Sequence, residues 1–183
     1  MRLVELAHLK IKDLVKPGDL CIDATSGNGY DTLFLAKLVA PHGKVISFDI
    51  QKLATENTIK RLADHGLEGV VSCKTESHTE ISNFVSKCEY GSIRAIMFNL
   101  GYLPGGNHAI TTHKETTTLA IRMSYDALSL EGVMTVLCYR GHNGGQQETD
   151  AIIELCTSQE WDTERIMVNS APDSPILLVI RKT

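Results

Sequence analysis

The chain has 183 residues, of which 43% are hydrophobic and 22% are charged, and it carries a formal net charge of -4. This composition excludes intrinsic disorder, and the acidic balance argues against a protein that holds duplex nucleic acid mainly by its phosphates. No apolar run reaches the roughly 18 residues of a transmembrane helix, and the N-terminus is charged where a signal peptide would be apolar. We therefore expect a single domain spanning residues 1–183, cytoplasmic and without membrane contact.

Segments with strand character alternate along the chain with segments of helical periodicity. Predicted helices span residues 3–15, 31–39, 54–65, 79–88, 115–130 and 146–160. Predicted strands span residues 19–24, 44–50, 70–74, 93–100, 133–139, 165–169 and 176–181. This alternation predicts βαβ units and an α/β fold with a doubly wound, seven-stranded, mostly parallel sheet. The last two strands must form a C-terminal antiparallel hairpin, because a parallel pair needs a longer crossover.

The five cysteines are scattered through the predicted elements. The chain contains no C-x-x-C motif and no Cys/His cluster with zinc spacing, so we expect reduced thiols and no metal site. The cysteines are Cys21, Cys73, Cys88, Cys138 and Cys156.

A glycine-containing loop follows the first predicted strand, with the sequence DATSGNG at residues 23–29. A dinucleotide loop reads G-x-G-x-x-G, and here Thr32 stands at the third glycine position. An acidic residue before G-x-G suits S-adenosylmethionine, because its amino-acid tail has an ammonium group; a bare strand-to-helix turn is the alternative. A carboxylate at the end of the second strand can accept hydrogen bonds from both ribose hydroxyls. The predicted cofactor-binding residues are thus Asp23, Thr25, Gly27, Gly29 and Asp49.

Three segments resemble known methyltransferase motifs. DATSGNGYDTLFLA at residues 23–36 resembles the first motif of class I S-adenosylmethionine-dependent methyltransferases. NLGYLPGG at residues 99–106 and YRGHNGGQQE at residues 139–148 are similar to a small bacterial family long described as rRNA methylases. That family has been linked to conversion of 5-aminomethyl to 5-methylaminomethyl on the wobble 2-thiouridine of tRNA. The resemblance covers nearly the whole chain and implies a Rossmann-like class I fold with S-adenosylmethionine as cofactor.

The family positions imply further contacts to the cofactor. They lie in the first loop and after the second and third strands, at Asn28, Asp31, Gln51, Ser77 and His78. One departure is Arg140, which stands where relatives commonly have proline. This arginine could loosen its loop or give it a phosphate contact.

The fourth predicted strand ends in Asn99-Leu100-Gly101-Tyr102, where amino-methylating enzymes often read N-P-P-Y. In those enzymes the asparagine oxygen and the next backbone carbonyl accept the protons of the amine, and the tyrosine packs on the substrate. The same acceptors are present here, although the two prolines are not. We predict Asn99 and Tyr102 as catalytic, with Asn99 also at the cofactor. The proton acceptor stays open between His142, Tyr102 and bulk water.

An acidic domain can recognise a single-stranded RNA loop by stacking and base-edge contacts. We expect the tRNA anticodon loop as partner, with a splayed base on Tyr102 or Tyr139 and phosphates near Lys114, Arg122 or Arg140. A homodimer could add basic residues across the site. The predicted substrate-binding residues are Leu100, Tyr102, Tyr139, Arg140 and His142.

Several alternatives to tRNA methylation remain. They are an rRNA methyltransferase, a small-molecule amine methyltransferase and a non-catalytic cofactor-binding module. An NAD-dependent oxidoreductase is disfavoured, because the third glycine and any Tyr-x-x-x-Lys or zinc dyad are missing. Histidines without a partner pattern are predicted to be surface or turn residues: His8, His42, His65, His108 and His113.

Overall fold

The computed structural model describes residues 2–106, 109–169, 171 and 173–183. Its strands are β1 Leu20–Asp23, β2 Lys44–Phe48, β3 Val71–Lys74, β4 Ile93–Asn99, β5 Leu128–Cys138, β6 Asp162–Met167 and β7 Ile176–Arg181. Its α-helices are α1 Leu3–Lys12, α2 Tyr30–Val39, α3 Lys52–Ala63, α4 Ile81–Phe84, α5 Lys114–Ala127 and α6 Gly145–Ser158. None of the described helices is long and apolar enough to cross a membrane.

The strands form one sheet in the order β3-β2-β1-β4-β5-β7-β6. The first five strands along this order are parallel, whereas β7 runs antiparallel to both β5 and β6. The predicted doubly wound sheet and its terminal antiparallel hairpin are therefore confirmed. The chain order reverses between β1 and β4, and ligands of such sheets bind at the carboxyl ends of the strands beside this reversal.

Helices cover both faces of the sheet because successive strand residues point to opposite sides. Cys21 and Val45 are paired across β1 and β2 and pack with α1, α2 and α3. Ile22 and Ile46, one position further along, pack with α4, α5 and α6 on the other face. The strands can therefore be apolar on both sides, as a central parallel sheet requires.

The boundary between α5 and β5 differs from the prediction. The helix ends at Ala127, and Leu128 already pairs with Ile93 as the first residue of β5. Leu128 lies seven residues after Ile121, a spacing that continues the apolar face of the helix, so periodicity extends the predicted helix past its end. The strand then kinks at Glu131, which has a φ of 62°, and the register with β4 shifts there.

The cysteines are free thiols, as predicted. Burial raises the pKa of Cys21 and of Cys138 to about 12, so both behave as small apolar core groups. Across the described residues, no three His, Cys, Asp or Glu side chains are grouped so that they could hold a metal ion.

Candidate functional site

A cavity of about 840 Å³ opens at the carboxyl ends of the parallel strands. Asp23 and Gly29 are predicted site residues that do not line it. The lining does contain the other predicted residues: Thr25, Gly27, Asn28, Asp31, Asp49, Gln51, Ser77, His78, Asn99, Leu100, Tyr102, Tyr139, Arg140 and His142. The topology therefore brings segments that are far apart in sequence to one place.

The Asp23 carboxylate lies beneath the cavity and is fully buried. It accepts hydrogen bonds from the Thr32 hydroxyl at 2.6 Å and from the Thr25 backbone N–H at 3.2 Å. Burial, together with the nearby charge of Asp31, raises the pKa of this carboxyl group. Asp23 thus fixes the start of the loop from below, and a direct contact with the cofactor ammonium stays a prediction.

Gly29 ends the loop and begins α2 with a φ of 78°, which favours glycine. A Cβ atom at this position would lie 2.8 Å from the Cα atom of Thr58 on α3. Gly29 therefore serves the close packing of the loop on α3 and does not face the cavity.

The Asn28 side chain joins the first loop to two other segments. Its amide oxygen accepts from Asn57 at 2.9 Å, and its nitrogen donates to the Pro104 carbonyl at 3.2 Å. Its backbone carbonyl accepts from Arg61 at 2.7 Å, and the same guanidinium covers the Tyr30 ring at 3.7 Å. Asn28 therefore links the first loop to α3 and to the segment after β4.

Asp49 follows β2 and faces the cavity. One carboxylate oxygen accepts the Gly27 N–H at 2.9 Å and the other accepts the Gln51 N–H at 2.9 Å. Burial raises the pKa of this carboxyl group, and the two backbone hydrogen bonds oppose that shift. Since each carboxylate oxygen has two lone pairs, both can still accept a hydroxyl from a ligand.

His78 follows the third strand in a 3-10 turn capped by the Ser77 hydroxyl. The ring is buried beside Phe98, and its Nε2 atom has no hydrogen-bond partner among the described residues. Burial lowers the pKa of His78 to about 4, so the imidazole is neutral at physiological pH. An unpaired buried nitrogen on the cavity wall fits a polar ligand group.

Asn99 ends β4 on the cavity wall. Its backbone N–H donates to the Thr25 hydroxyl at 2.6 Å, and its side-chain nitrogen lies 3.5 Å from an Asp31 carboxylate oxygen. Because an ionised carboxylate only accepts hydrogen bonds, the Asn99 nitrogen faces Asp31, which leaves the amide oxygen for a ligand.

His8, for which the sequence shows no partner pattern, is the partner of the other Asp31 oxygen and is partly buried. Its Nε2 atom lies 2.6 Å from Asp31, and its ring stacks on Phe34 with 3.8 Å between the ring centroids. His8 lies on α1 and Asp31 on α2, and no spacing in the sequence indicates that these helices meet here.

A hydrogen-bonded network beside the Asn99–Tyr102 segment contains residues that were not predicted. Glu148 and Thr117 are buried, whereas Thr112 is half-buried and lines the cavity. The Glu148 carboxylate accepts the Thr112 hydroxyl at 2.9 Å and the Thr117 hydroxyl at 2.6 Å. The Thr112 oxygen also accepts the Gly101 N–H at 3.0 Å. Glu148 closes the segment YRGHNGGQQE that carries the family resemblance, whereas nothing in the sequence singles out Thr112.

The loop after β5 forms another side of the cavity mouth. Arg140 donates to the Ser174 carbonyl at 2.6 Å and to the Ala171 carbonyl at 3.3 Å, so it ties its loop to the β6–β7 turn. The expectation that this arginine loosens the loop is therefore wrong. Tyr139 is 42% exposed and Tyr102 is 45% exposed at the mouth, as stacking on a base requires.

Comparison with sequence families shows two matches. A family described as "Putative rRNA methylase" matches residues 45–181. A family described as protein-L-isoaspartate (D-aspartate) O-methyltransferase matches residues 3–83. The first match covers β2 through β7 and so includes most of the cavity wall.

Individual proteins resemble the chain over its whole length. A protein of Arabidopsis thaliana named "tRNA (mnm(5)s(2)U34)-methyltransferase, chloroplastic" is 32% identical over 99% of this chain and 69% of its own. A "putative rRNA-methylase" structure from Clostridium thermocellum is 37% identical with a TM-score of 0.93, covering 100% of this chain and 98% of its own. A "putative methyltransferase" structure from Streptococcus mutans, solved in complex with SAH, is 30% identical with a TM-score of 0.87. The match covers 100% of this chain and 99% of the Streptococcus chain.

Proposed function

We propose a substrate for this chain from the premise that it belongs to the family described as "Putative rRNA methylase" and is an S-adenosylmethionine-dependent methyltransferase. It methylates the amine of 5-aminomethyl-2-thiouridine at the wobble position of tRNA. The product is 5-methylaminomethyl-2-thiouridine. The name of the Arabidopsis relative supports this choice of substrate over rRNA. We propose further that residues 1–183 form one catalytic domain that acts on the anticodon loop of tRNA in the cytoplasm.

The orientation of the Asn99 amide carries the proposal. Asp31 accepts from the amide nitrogen, so the amide oxygen is presented to the cavity as a hydrogen-bond acceptor. Leu100, whose backbone carbonyl is the next acceptor along the chain, also lines the cavity. Two acceptors side by side suit a primary amine, which has two N–H groups to donate and a lone pair left for the reaction.

The residues around the first loop fit S-adenosylmethionine. The two Asp49 oxygens each have a lone pair left for the ribose hydroxyls, and the unpaired His78 nitrogen offers a further polar contact. Gln51 and Ser77 also line the cavity. When bound, this cofactor supplies a methyl group activated by its sulfonium.

The chain's own contribution to the reaction is orientation of the amine. Asn99 and Leu100 accept its two N–H groups, which directs the nitrogen lone pair along one line, and such positioning supplies much of the rate of a displacement reaction. The new N–C bond forms as the S–C bond breaks, and the nitrogen then loses one proton. His78 is not a suitable base for that proton, because burial holds its pKa at about 4.

The test uses labelled S-adenosylmethionine with total tRNA and, separately, rRNA from cells lacking this protein. We expect label in tRNA, recovered after digestion as 5-methylaminomethyl-2-thiouridine by nucleoside mass analysis. Label in rRNA alone would instead support the older description of the family. Absence of label from both RNAs, with the cofactor bound, would indicate a small amine or a non-catalytic pocket.

Asn99→Ala tests the role of the amide in the same assay. We expect turnover to fall by about 100-fold while the cofactor dissociation constant changes by less than about threefold, because the partner of the amide is the amine. Asn83→Ala is the matched control, since Asn83 is an exposed asparagine on α4 outside the cavity. Normal turnover with weaker cofactor binding in Asn99→Ala would reassign Asn99 to the cofactor.

A further inference from the structure

The buried carboxylate of Glu148 has no part in the function proposed above, although it lies behind the amine acceptors. Glu148 is 2% exposed on α6, and both of its oxygens accept threonine hydroxyls, from Thr112 and Thr117. A buried charge is costly unless hydrogen bonds compensate it, so its position at the back of the site calls for an explanation.

The hydrogen bonds from Gly101 to Glu148 all run in one direction. The Glu148 carboxylate can only accept, so the Thr112 hydroxyl proton is committed to it at 2.9 Å. The lone pairs of the same hydroxyl then face the Gly101 N–H, which donates to Thr112 at 3.0 Å. Each donor thus points toward the charge, and hydrogen bonds in such a chain polarise one another.

This chain of hydrogen bonds fixes the orientation of the peptide group between Leu100 and Gly101. In a trans peptide the carbonyl points opposite to the N–H, so the Leu100 carbonyl points away from Thr112. Two further backbone bonds hold the segment: Leu100 N–H to the Leu137 carbonyl at 2.9 Å, and Thr112 N–H to the Gly101 carbonyl at 3.0 Å. Gly101 has a φ of 133°, a conformation that a side chain would disfavour.

We propose that Glu148, through Thr112, is a positioning residue that holds and polarises the Leu100–Gly101 peptide so that the Leu100 carbonyl accepts an N–H of the amine. This inference rests on the proposed function. As the amine attacks, its nitrogen becomes positively charged, and a carbonyl polarised by a buried carboxylate stabilises that charge. The Asn99 amide has the same arrangement, with Asp31 as the carboxylate behind it.

Thr112→Val removes the link without changing the size of the side chain. We expect kcat for tRNA methylation to fall by about 10- to 100-fold, with the KM for tRNA and the cofactor dissociation constant within about threefold of wild type. Thr112→Ser restores the hydroxyl and is expected to recover most of the rate. A merely structural role of Thr112 would not separate kcat from KM in this way.

Thr117→Val is the matched control. It also removes one hydroxyl from Glu148, but it leaves the bond between Thr112 and Gly101 in place. We expect a clearly smaller loss of kcat than in Thr112→Val, with a similar loss of thermal stability, because Glu148 keeps its link to Gly101 through Thr112. Equal losses of kcat in the two variants, or a loss confined to KM in Thr112→Val, would overturn the proposal.

Hydrogen exchange of the Gly101 amide, measured by NMR without RNA, tests the hydrogen-bond chain independently of the proposed substrate. We expect slow exchange in the wild type and in Thr117→Val, and exchange at least tenfold faster in Thr112→Val. A Gly101 amide that exchanges freely in the wild type would rule out the hydrogen-bond chain from Gly101 to Glu148, whatever the substrate proves to be. Failure of the wild-type tRNA assay with a protected Gly101 amide would refute the proposed substrate but not the hydrogen-bond chain.

Discussion

At the scale of single residues, the site consists of polar groups that the protein only partly uses. Each Asp49 oxygen accepts one backbone N–H, and the Asn99 side-chain nitrogen donates to Asp31. The atoms left over are hydrogen-bond acceptors, which match the hydroxyls of a ribose and the N–H groups of an amine. The hydrogen bonds that each side chain makes within the protein therefore decide which of its atoms a ligand can contact, as much as the residue type does.

Asp49→Asn should weaken binding of S-adenosylmethionine by about 10- to 100-fold, because one acceptor oxygen becomes a donor and the charge is lost. The binding constant is measured by calorimetry, with thermal unfolding as the test of the fold. A loss of about 1 kcal/mol in stability is expected, since the amide also replaces an acceptor of a backbone N–H.

Asp64→Asn is the control for this variant. Asp64 is an exposed carboxylate at the end of α3, and we expect unchanged affinity there. Equal affinity in Asp49→Asn and the wild type would remove Asp49 from the ribose site.

At the scale of elements, the turn from β1 into α2 depends on how closely it approaches α3. Gly29 combines a positive φ with a missing Cβ that would contact the Thr58 backbone. Glycine is therefore required here by packing between two helices in addition to the turn itself. The sequence motif alone indicates the turn. It does not show that Thr58 on α3 leaves no room for a Cβ atom at Gly29.

A series of glycine-to-alanine variants separates these two effects. Gly69 has open space and no positive φ, Gly66 has open space with a φ of 64°, and Gly29 has both the positive φ and the contact. We expect losses of unfolding free energy of about 0.5 kcal/mol or less, about 1 kcal/mol, and at least about 2 kcal/mol, respectively. Urea unfolding gives the three values, and a Gly29→Ala loss no larger than that of Gly66→Ala would contradict the contact.

At the scale of the whole molecule, the charge of -4 limits how tRNA can be held. A proposed substrate that carries many phosphates must meet the protein at a small number of basic groups near the cavity mouth. Arg140 is the lining arginine, and two backbone carbonyls already fix its guanidinium. The larger share of recognition then falls to stacking of unpaired bases, for which Tyr102 and Tyr139 are exposed.

The salt dependence of the reaction measures this balance. With two or three phosphate contacts, kcat/KM for tRNA should fall by roughly tenfold between 50 and 200 mM salt, because single-stranded contacts give a slope of about -0.7 per phosphate. Binding of the cofactor, followed by calorimetry over the same range, is expected to change little. A kcat/KM that ignores salt would favour a small-molecule amine, and a fall of 1,000-fold or more would indicate a broad phosphate interface.

Sequence patterns by themselves determined the order of the strands and helices, the antiparallel end of the sheet and most of the cavity wall. They could do so because apolar periodicity reports which face of an element is buried, and because the carboxyl ends of parallel strands meet at one edge. The motifs at residues 23–36, 99–106 and 139–148 added the family and the cofactor. The α5–β5 boundary was missed because Leu128 continues the helical spacing of Ile121 although it begins the strand.

Only the tertiary structure decided which side chains stand behind the site. His8 reaches Asp31 from 23 residues away, and Glu148 reaches Thr112 from 36 residues away, so neither pair has a spacing that periodicity could detect. Asp23, which the loop pattern assigns to the cofactor, is the last residue of β1 and is fully buried. Residue type indicates what a group can do, but the packing of helices on the sheet decides what it faces, since those contacts join distant parts of the chain.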